Sequence, residues 1–86
     1  MFEVLWLVLE TRNKYWFKVE NHKVHCGITN DLFLREGEHQ KSGHYTVHND
    51  KRFYWKNGHI VQEGNITTRE AALAWERTND CNDNWG

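Results

Sequence analysis

Apolar and polar side chains alternate along most of the first three quarters of the chain, and a period of two predicts β-strands. In "FEVLWLVL", residues 2–9, both sets of alternate positions are apolar, which is typical of a strand covered on two faces. The segments 15–20 and 24–28 follow after the short polar turns "TRNK" and "NHK". Because short turns join antiparallel neighbours, residues 1–28 are predicted to form a β-meander.

The stretch "HYTVHNDKRFYWKNGHIVQEG", residues 44–64, predicts a second set of strands. "HYTVH" and "RFYWK" are joined by "NDK", and the Asn-Gly pair at 57–58 is a strong signal of a tight hairpin, because both turn positions require a positive φ. A second meander over 44–64 is therefore expected. Most of its aromatic side chains are assigned to the core, and its outward face carries Tyr54 between Arg52 and Lys56.

The rest of the chain predicts one helix. Residues 29–43 are less regular and are expected to be a connection, in which "NDLFLRE" fits either a short strand or one helical turn and "GEHQKSG" is a polar, mobile loop. Thr67-x-x-Glu70 is a capping box, which places a helix over 66–78, and residues 79–86 are expected to be a loosely attached tail. The predicted fold is α+β: one domain over residues 1–86, with a small antiparallel sheet of two successive meanders and one C-terminal helix.

The charge balance bears on the class of partner. The net charge is −1, and it conceals two basic bands, residues 11–23 and 41–59, in each of which four cations accompany one carboxylate. A DNA-binding domain usually has a clear basic excess, because neutralising phosphates provides most of its affinity. The overall balance therefore counts against nucleic acid, while the two bands keep it as an alternative.

The cysteines and the apolar N-terminal run indicate a compartment. Cys26 and Cys81 are too few for a disulfide scaffold, so two reduced, independent thiols are expected, with a disulfide or a shared metal as alternatives. The run at 2–9 is too short to span a membrane and follows no basic segment typical of a signal peptide. We therefore expect a cytoplasmic protein without membrane association.

Candidate chemistry is sparse. Six histidines suggest a metal site, but His44 and His48 lie on one predicted strand, about 13 Å apart at about 3.3 Å per residue, too far to share one ion. Cys26 and His25 are adjacent on a strand and therefore face opposite ways. The chain has no glycine-rich phosphate loop and no nucleophile elbow. We expect no catalytic residues, no metal and no cofactor.

One segment carries a family resemblance. "RFYWKNGHIVQEGNITTREAALAW", within residues 44–78, resembles the arm-type DNA-binding domain at the N-terminus of phage integrases, where a three-stranded sheet precedes a helix that opens with T-x-x-E-A. Thr67, Glu70 and Ala71 match that opening, and Trp75 lies one position later than the family's tryptophan. The resemblance implies a sheet that enters the major groove. More generally, a short, Trp-rich, proline-free chain is similar to small bacteriophage accessory proteins, including inhibitors of host defence.

Two functions follow as expectations. The first is a non-enzymatic module that binds a protein partner, such as a phage-type inhibitor of a host defence or nucleic-acid-processing complex, in the host cytoplasm. Its expected contact residues are Trp16, Arg52, Tyr54, Lys56 and Trp85, because tryptophan, tyrosine and arginine dominate interface energies. The alternative is nucleic-acid binding, in which Tyr54 stacks on bases and the cations Lys51, Arg52 and Lys56 contact phosphates.

Self-association is a further expectation. The candidate edge strands are 24–28 and 59–63, and an unprotected edge tends to pair with another chain. The second edge carries His59 and Glu63, whereas the first carries only His25. A symmetric homodimer around the first meander is therefore predicted, with Cys26 close to its symmetry mate.

Overall fold

The computed structural model describes residues 10–79 and 81. These residues form five strands and two α-helices, in the order β1 Thr11–Val19, β2 His22–Thr29, α1 Leu32–Gln40, β3 Tyr45–His48, β4 Lys51–Tyr54, β5 His59–Thr68 and α2 Arg69–Thr78, with a 3-10 turn at Trp55–Asn57. The predicted strand at 2–9 lies outside the described residues, as does most of the predicted tail.

The strands form two small antiparallel sheets. The larger has the order β2-β1-β5, and the smaller pairs β3 with β4. The predicted α+β class with a C-terminal helix is confirmed. β1 is the central strand of the larger sheet, with β2 and β5 at its two edges. The faces of β1 are covered by other elements.

Two hairpins turn over two-residue loops. Glu20 and Asn21 connect β1 to β2 with φ of 51° and 69°, and Asn49 and Asp50 connect β3 to β4 with φ of 52° and 64°. Positive φ at both central residues matches the twist of the flanking strands, which is why such loops are common in hairpins. The predicted pairing within each of these hairpins is therefore found.

The predicted second meander is wrong in its last step. After β4 the chain makes the 3-10 turn, and Gly58 is extended, with φ −95°. β5 then pairs with β1 and not with β4. A Cβ on Gly58 would lie 2.5 Å from Cε2 of Phe17. The glycine is thus required for close approach to an aromatic ring, and the Asn-Gly pair does not form a hairpin.

In the connection at 29–43, α1 is longer than the single helical turn considered for "NDLFLRE", and it extends through part of the segment expected to be a mobile loop. Asp31 caps this helix by accepting a hydrogen bond from the backbone N–H of Leu34 at 3.0 Å. The apolar residues of the helix, Leu32, Phe33 and Leu34, are consecutive, and Gly37 lies in its middle. Its sequence therefore lacks the apolar stripe and the propensity that normally predict a helix.

α1 covers the start of the β5 edge with side chains. Glu36 accepts a hydrogen bond from the backbone N–H of Ile60 at 2.9 Å, and the side-chain amide of Gln40 donates to the carbonyl oxygen of Gly58 at 2.8 Å. These bonds satisfy backbone groups that another strand could otherwise pair with. Further along β5, the pairing register with β1 shifts between Arg12 and Lys14 of β1. This irregularity interrupts the regular edge that β5 would otherwise present.

The core lies on both faces of β1. On one face Tyr15, Phe17 and Val19 pack with Val24 and Phe53. On the other face a second cluster contains Trp16, Cys26 and Cys81, with Trp75 of α2 packed against it.

The cap of α2 is one residue later than predicted. Thr68, and not Thr67, accepts the backbone N–H of Ala71, at 3.2 Å. Thr67 is instead paired with Arg12 in the larger sheet. Because β5 extends through Thr68, the strand ends where the helix begins.

Candidate partner-binding face

The outward side of the β3–β4 hairpin carries a group of exposed side chains that we call the hairpin face. Its members are Tyr45, Val47, Arg52, Tyr54 and, on the following turn, Lys56. Tyr45, Val47 and Tyr54 are 45%, 57% and 42% exposed, which is high for large apolar side chains. Isolated exposed apolar residues are ordinary on protein surfaces, whereas a contiguous group marks a candidate contact surface.

These side chains interact with one another. Tyr45 and Tyr54 are directly opposite in the hairpin, with ring centroids 5.8 Å apart. The guanidinium carbon of Arg52 lies 4.7 Å from the centroid of the Tyr45 ring, and the ammonium of Lys56 lies 5.8 Å from the centroid of the Tyr54 ring. Each cation is therefore within the range of cation–π attraction.

Of the two cations of the face, Arg52 lies closer to an aromatic ring. A hydrogen bond with Tyr54, and then the proximity of Tyr45, raise the pKa of the Arg52 guanidinium above its usual value. The guanidinium thus lies near the Tyr45 ring, on a side chain that is itself exposed. A stacked guanidinium leaves N–H groups at its edge available to a planar anion.

The inner side of the hairpin anchors the face to the core. Phe53 is buried in the same cluster as Tyr15 and Phe17, and Trp55 packs against that cluster. The indole N–H of Trp55 donates to the hydroxyl of Thr46 at 2.9 Å. Phe53, which lies between Arg52 and Tyr54 in β4, is therefore the buried anchor of the face, and this limits the ordering entropy that binding would cost.

The cations of this region differ in their surroundings. Lys51 forms an ion pair with Glu20 at 2.9 Å and lies over the ring of Phe53, on the inner side of the hairpin. Among the ion pairs between residues 10–79, by contrast, none involves Arg52 or Lys56. Lys51, one of the three cations expected to contact nucleic acid, is therefore not on the outward face. Arg52 and Lys56 are the two that remain there.

The predicted site residues are only partly brought together. Arg52, Tyr54 and Lys56 lie on the hairpin face as expected from their alternation. Trp16 was expected to be outward, and this is wrong: it is 7% exposed. α2 covers the second face of β1, so both faces of that strand are buried. Trp85 lies outside the described residues.

Trp16 has a structural role instead. Its ring meets that of Trp75 edge-on at 5.5 Å, and its indole N–H donates to Glu63 at 3.2 Å. The ammonium of Lys23 lies 4.3 Å from its ring centroid. The indole N–H of Trp16 thus has a hydrogen-bond acceptor within the protein, and its ring has aromatic and cationic neighbours there.

Sequence reasoning missed Tyr45. Alternation placed Tyr45 and Val47 on one face without saying which one. The two-residue Asn49-Asp50 loop fixes the register of the hairpin and makes Tyr45 the cross-strand neighbour of Tyr54. Had that loop been assigned from its Asn-Asp pair, the outward position of Tyr45 would have followed from that of Tyr54.

A second cluster of polar rings lies beneath α1. The hydroxyl of Tyr15 is 2.7 Å from Nε2 of His39, and the rings of His39 and His25 are 5.1 Å apart. Burial, with repulsion from His25, lowers the pKa of His39 to about 4. Burial also lowers the pKa of His25 and raises that of Tyr15. Neutral His39 can therefore accept the tyrosine hydrogen bond, and the cluster joins α1 to β1.

Cys26 and Cys81 form a disulfide, with Cα atoms 4.8 Å apart. The expectation of two independent thiols is therefore wrong. Their separation of 55 residues hides the pairing in the sequence, because contact requires α2 to fold back over β2. Since Cys26 is already bonded, oxidation cannot trap the predicted dimer through this residue.

Three further findings concern the class of the protein. Among the described residues, no group of three or more histidine, cysteine, aspartate or glutamate side chains is arranged to hold a metal ion. Neither described helix has the length and apolar character needed to cross a membrane. In comparisons with known proteins, no family model, no curated protein and no solved structure matches this chain.

Proposed function

We propose that this chain is a non-enzymatic binding module that engages a protein partner through the hairpin face. The observation that carries the proposal is the exposed pair Tyr45 and Tyr54, with the guanidinium carbon of Arg52 4.7 Å from the centroid of the Tyr45 ring. The face combines apolar area with a positive charge that has no carboxylate partner among residues 10–79.

Residue types support a protein partner. Tyrosine and arginine are enriched among the residues that dominate protein interfaces, and they are most effective when neighbouring contacts exclude water around them. Val47, directly opposite Arg52 in the hairpin, adds apolar area beside the guanidinium. The buried Phe53 anchors β4 to the core below the face.

The expected biological setting extends this proposal. The general similarity to small bacteriophage accessory proteins favours a partner that belongs to a host defence or nucleic-acid-processing complex, which the module would inhibit by occupying a contact surface. This extension rests on the sequence resemblance alone.

Nucleic acid is the second candidate, and the exposure of Tyr45 and Tyr54 favours it. Stacking of a base on an aromatic ring contributes about 1–3 kcal/mol. Arg52 and Lys56 are the two cations of the outward face, so phosphate contacts would give only a shallow dependence on salt. A single-stranded ligand that stacks on the tyrosines is therefore the form this candidate takes.

Affinity capture with matched variants tests the proposal. The tagged wild-type protein is compared with a Tyr45→Ala, Tyr54→Ala double variant and with a Phe33→Ala control. Phe33 lies on α1, is 86% exposed and is not part of the hairpin face. We expect a stoichiometric host protein to be retained by the wild type and the control and lost by the double variant.

Two results would contradict the proposal. One is a partner captured equally by the double variant, which would locate binding elsewhere. The other is tight binding of a single-stranded oligonucleotide at low salt, measured by fluorescence anisotropy, in the absence of any captured protein. Circular dichroism of each variant excludes unfolding as the cause of a loss.

A further inference from the structure

We propose that the partner segment bound by the hairpin face is an acidic one, with a carboxylate that pairs with Arg52 and apolar side chains that cover the tyrosine rings. This inference rests on the proposed function and adds the chemistry of the partner. It is carried by the arrangement of charge on the face.

The geometry of Arg52 selects a planar anion. The guanidinium carbon lies 4.7 Å from the centroid of the Tyr45 ring. Arginine offers a fork of parallel N–H donors that matches the two oxygens of a carboxylate. Because the contact with the Tyr45 ring already restricts the guanidinium, less side-chain entropy is lost when the carboxylate binds.

The surrounding charge has one sign. The hairpin and its following turn, residues 44–57, contain a single carboxylate, Asp50, and it lies in the loop at the end of the hairpin. Lys56 adds a second cation near Tyr54. In a chain whose net charge is −1, this face is a local positive area, so it attracts an acidic segment and disfavours a basic one.

The rest of the hairpin face is apolar, because Tyr45, Tyr54 and Val47 flank the guanidinium. A partner segment with only polar residues around its carboxylate would leave these three side chains exposed. Partial removal of water by apolar contacts also strengthens the ion pair, since the local dielectric constant falls. The segment that fits carries aspartate or glutamate among apolar residues.

Binding of two matched peptides tests this inference. The probes are a fluorescein-labelled peptide of mixed glutamate, aspartate and leucine, and the same peptide with glutamine and asparagine in place of the acids. The proteins are the wild type, Arg52→Gln, and Arg77→Gln as a control for loss of an exposed arginine on α2.

We expect the acidic peptide to bind the wild type about tenfold to a hundredfold more tightly than its amide counterpart, the range for a charge-assisted pair. Arg52→Gln should remove that difference, whereas Arg77→Gln should change it less than about twofold. Raising the salt concentration should weaken the acidic peptide alone.

Several outcomes would overturn the inference. Equal binding of the two peptides, or no binding of either at about 1 mM, would show that acidity is not what the face recognises. The proposed function would survive both results if the capture experiment still depended on Tyr45 and Tyr54. A labelled oligothymidylate that bound more tightly than the acidic peptide would overturn the inference and favour the nucleic-acid candidate.

Discussion

At the residue scale, close approach to the aromatic rings of β1 explains two glycines. A Cβ on Gly27 would lie 2.6 Å from the hydroxyl oxygen of Tyr15, and a Cβ on Gly58 would lie equally close to the ring of Phe17. Both rings are completely buried, so neither can move aside without disturbing the core. The two glycines are thus part of the packing of β1.

Gly27→Ala should therefore destabilise the protein by about 1–3 kcal/mol, the usual cost of overpacking a core. Gly37→Ala is the matched control, because no atom lies within 4 Å of the added Cβ and the position is in α1. That substitution should stabilise the protein by about 0.5–1 kcal/mol. Urea denaturation measures both, and a neutral Gly27→Ala would contradict the packing around Tyr15.

The His39 imidazole gives a dependence of stability on pH. Its pKa falls from the ordinary value of 6.5 to about 4 in the folded state, chiefly because of burial. The folded state thus disfavours protonation, so stability is complete above pH 6.5 and declines as the pH falls from 6.5 toward 4. Because the ring is partly exposed, we expect a loss of about 1–2 kcal/mol from this residue.

Chemical denaturation at several pH values checks this expectation. His39→Gln should reduce the slope of stability against pH, and His25 should maintain part of it, since the pKa of His25 is also lowered by burial. An unchanged slope in His39→Gln would show that the imidazole is not buried as described.

At the element scale, the structure and the sequence motif assign the N-cap of α2 to two different residues at its junction with β5. Thr68 accepts the backbone N–H of Ala71, whereas the sequence motif places the cap at Thr67. Thr68→Ala should destabilise α2 by about 1 kcal/mol, and Thr67→Ala should change stability by less than about 0.5 kcal/mol. Thermal denaturation of the two variants decides between them, and the reverse order of effects would restore the capping box.

The edges of the larger sheet bear on self-association. α1 satisfies backbone groups at the start of β5 through Glu36 and Gln40, so this edge is protected there. The dimer predicted around β2 remains a prediction, and light scattering at about 100 µM tests it. A mass of one chain at that concentration would contradict it.

At the scale of the whole molecule, the disulfide ties α2 to the sheet. Cys26 lies in β2 and Cys81 follows α2, so the bond closes a loop over a separation of 55 residues. A loop of this length predicts a stabilisation of about 4 kcal/mol through the unfolded state. Because disulfides are rare in cytosolic proteins, the pairing counts against the expected cytoplasmic location.

Reduction should therefore lower the free energy of unfolding by about 4 kcal/mol. It should also loosen the contact of Trp16 with Trp75, which share a cluster with the disulfide, and change the tryptophan fluorescence. A Cys26→Ser, Cys81→Ser variant serves as the control, because reductant should leave its stability unchanged. Equal stability of the wild type with and without reductant would contradict the bond.

Much of this fold and part of its site follow from the sequence. Alternation in "YWFKV" identifies β1 and the side chains that share a face, because the period of a strand is fixed by its backbone. The C-terminal helix, the pairing within the two hairpins (though not their two-residue loops) and the outward positions of Arg52, Tyr54 and Lys56 are local consequences of the same kind. These features depend on neighbours a few residues apart.

Tertiary structure decided the rest. The pairing of β5 with β1, the burial of Trp16 and the disulfide all join residues far apart in sequence, and no local pattern specifies which distant surface will cover a given face. A strand with apolar side chains on both faces can be central or exposed on one side, and only the position of α2 settles it for β1. The sequence determines which side chains share a face; the packing of elements determines which faces remain available to a partner.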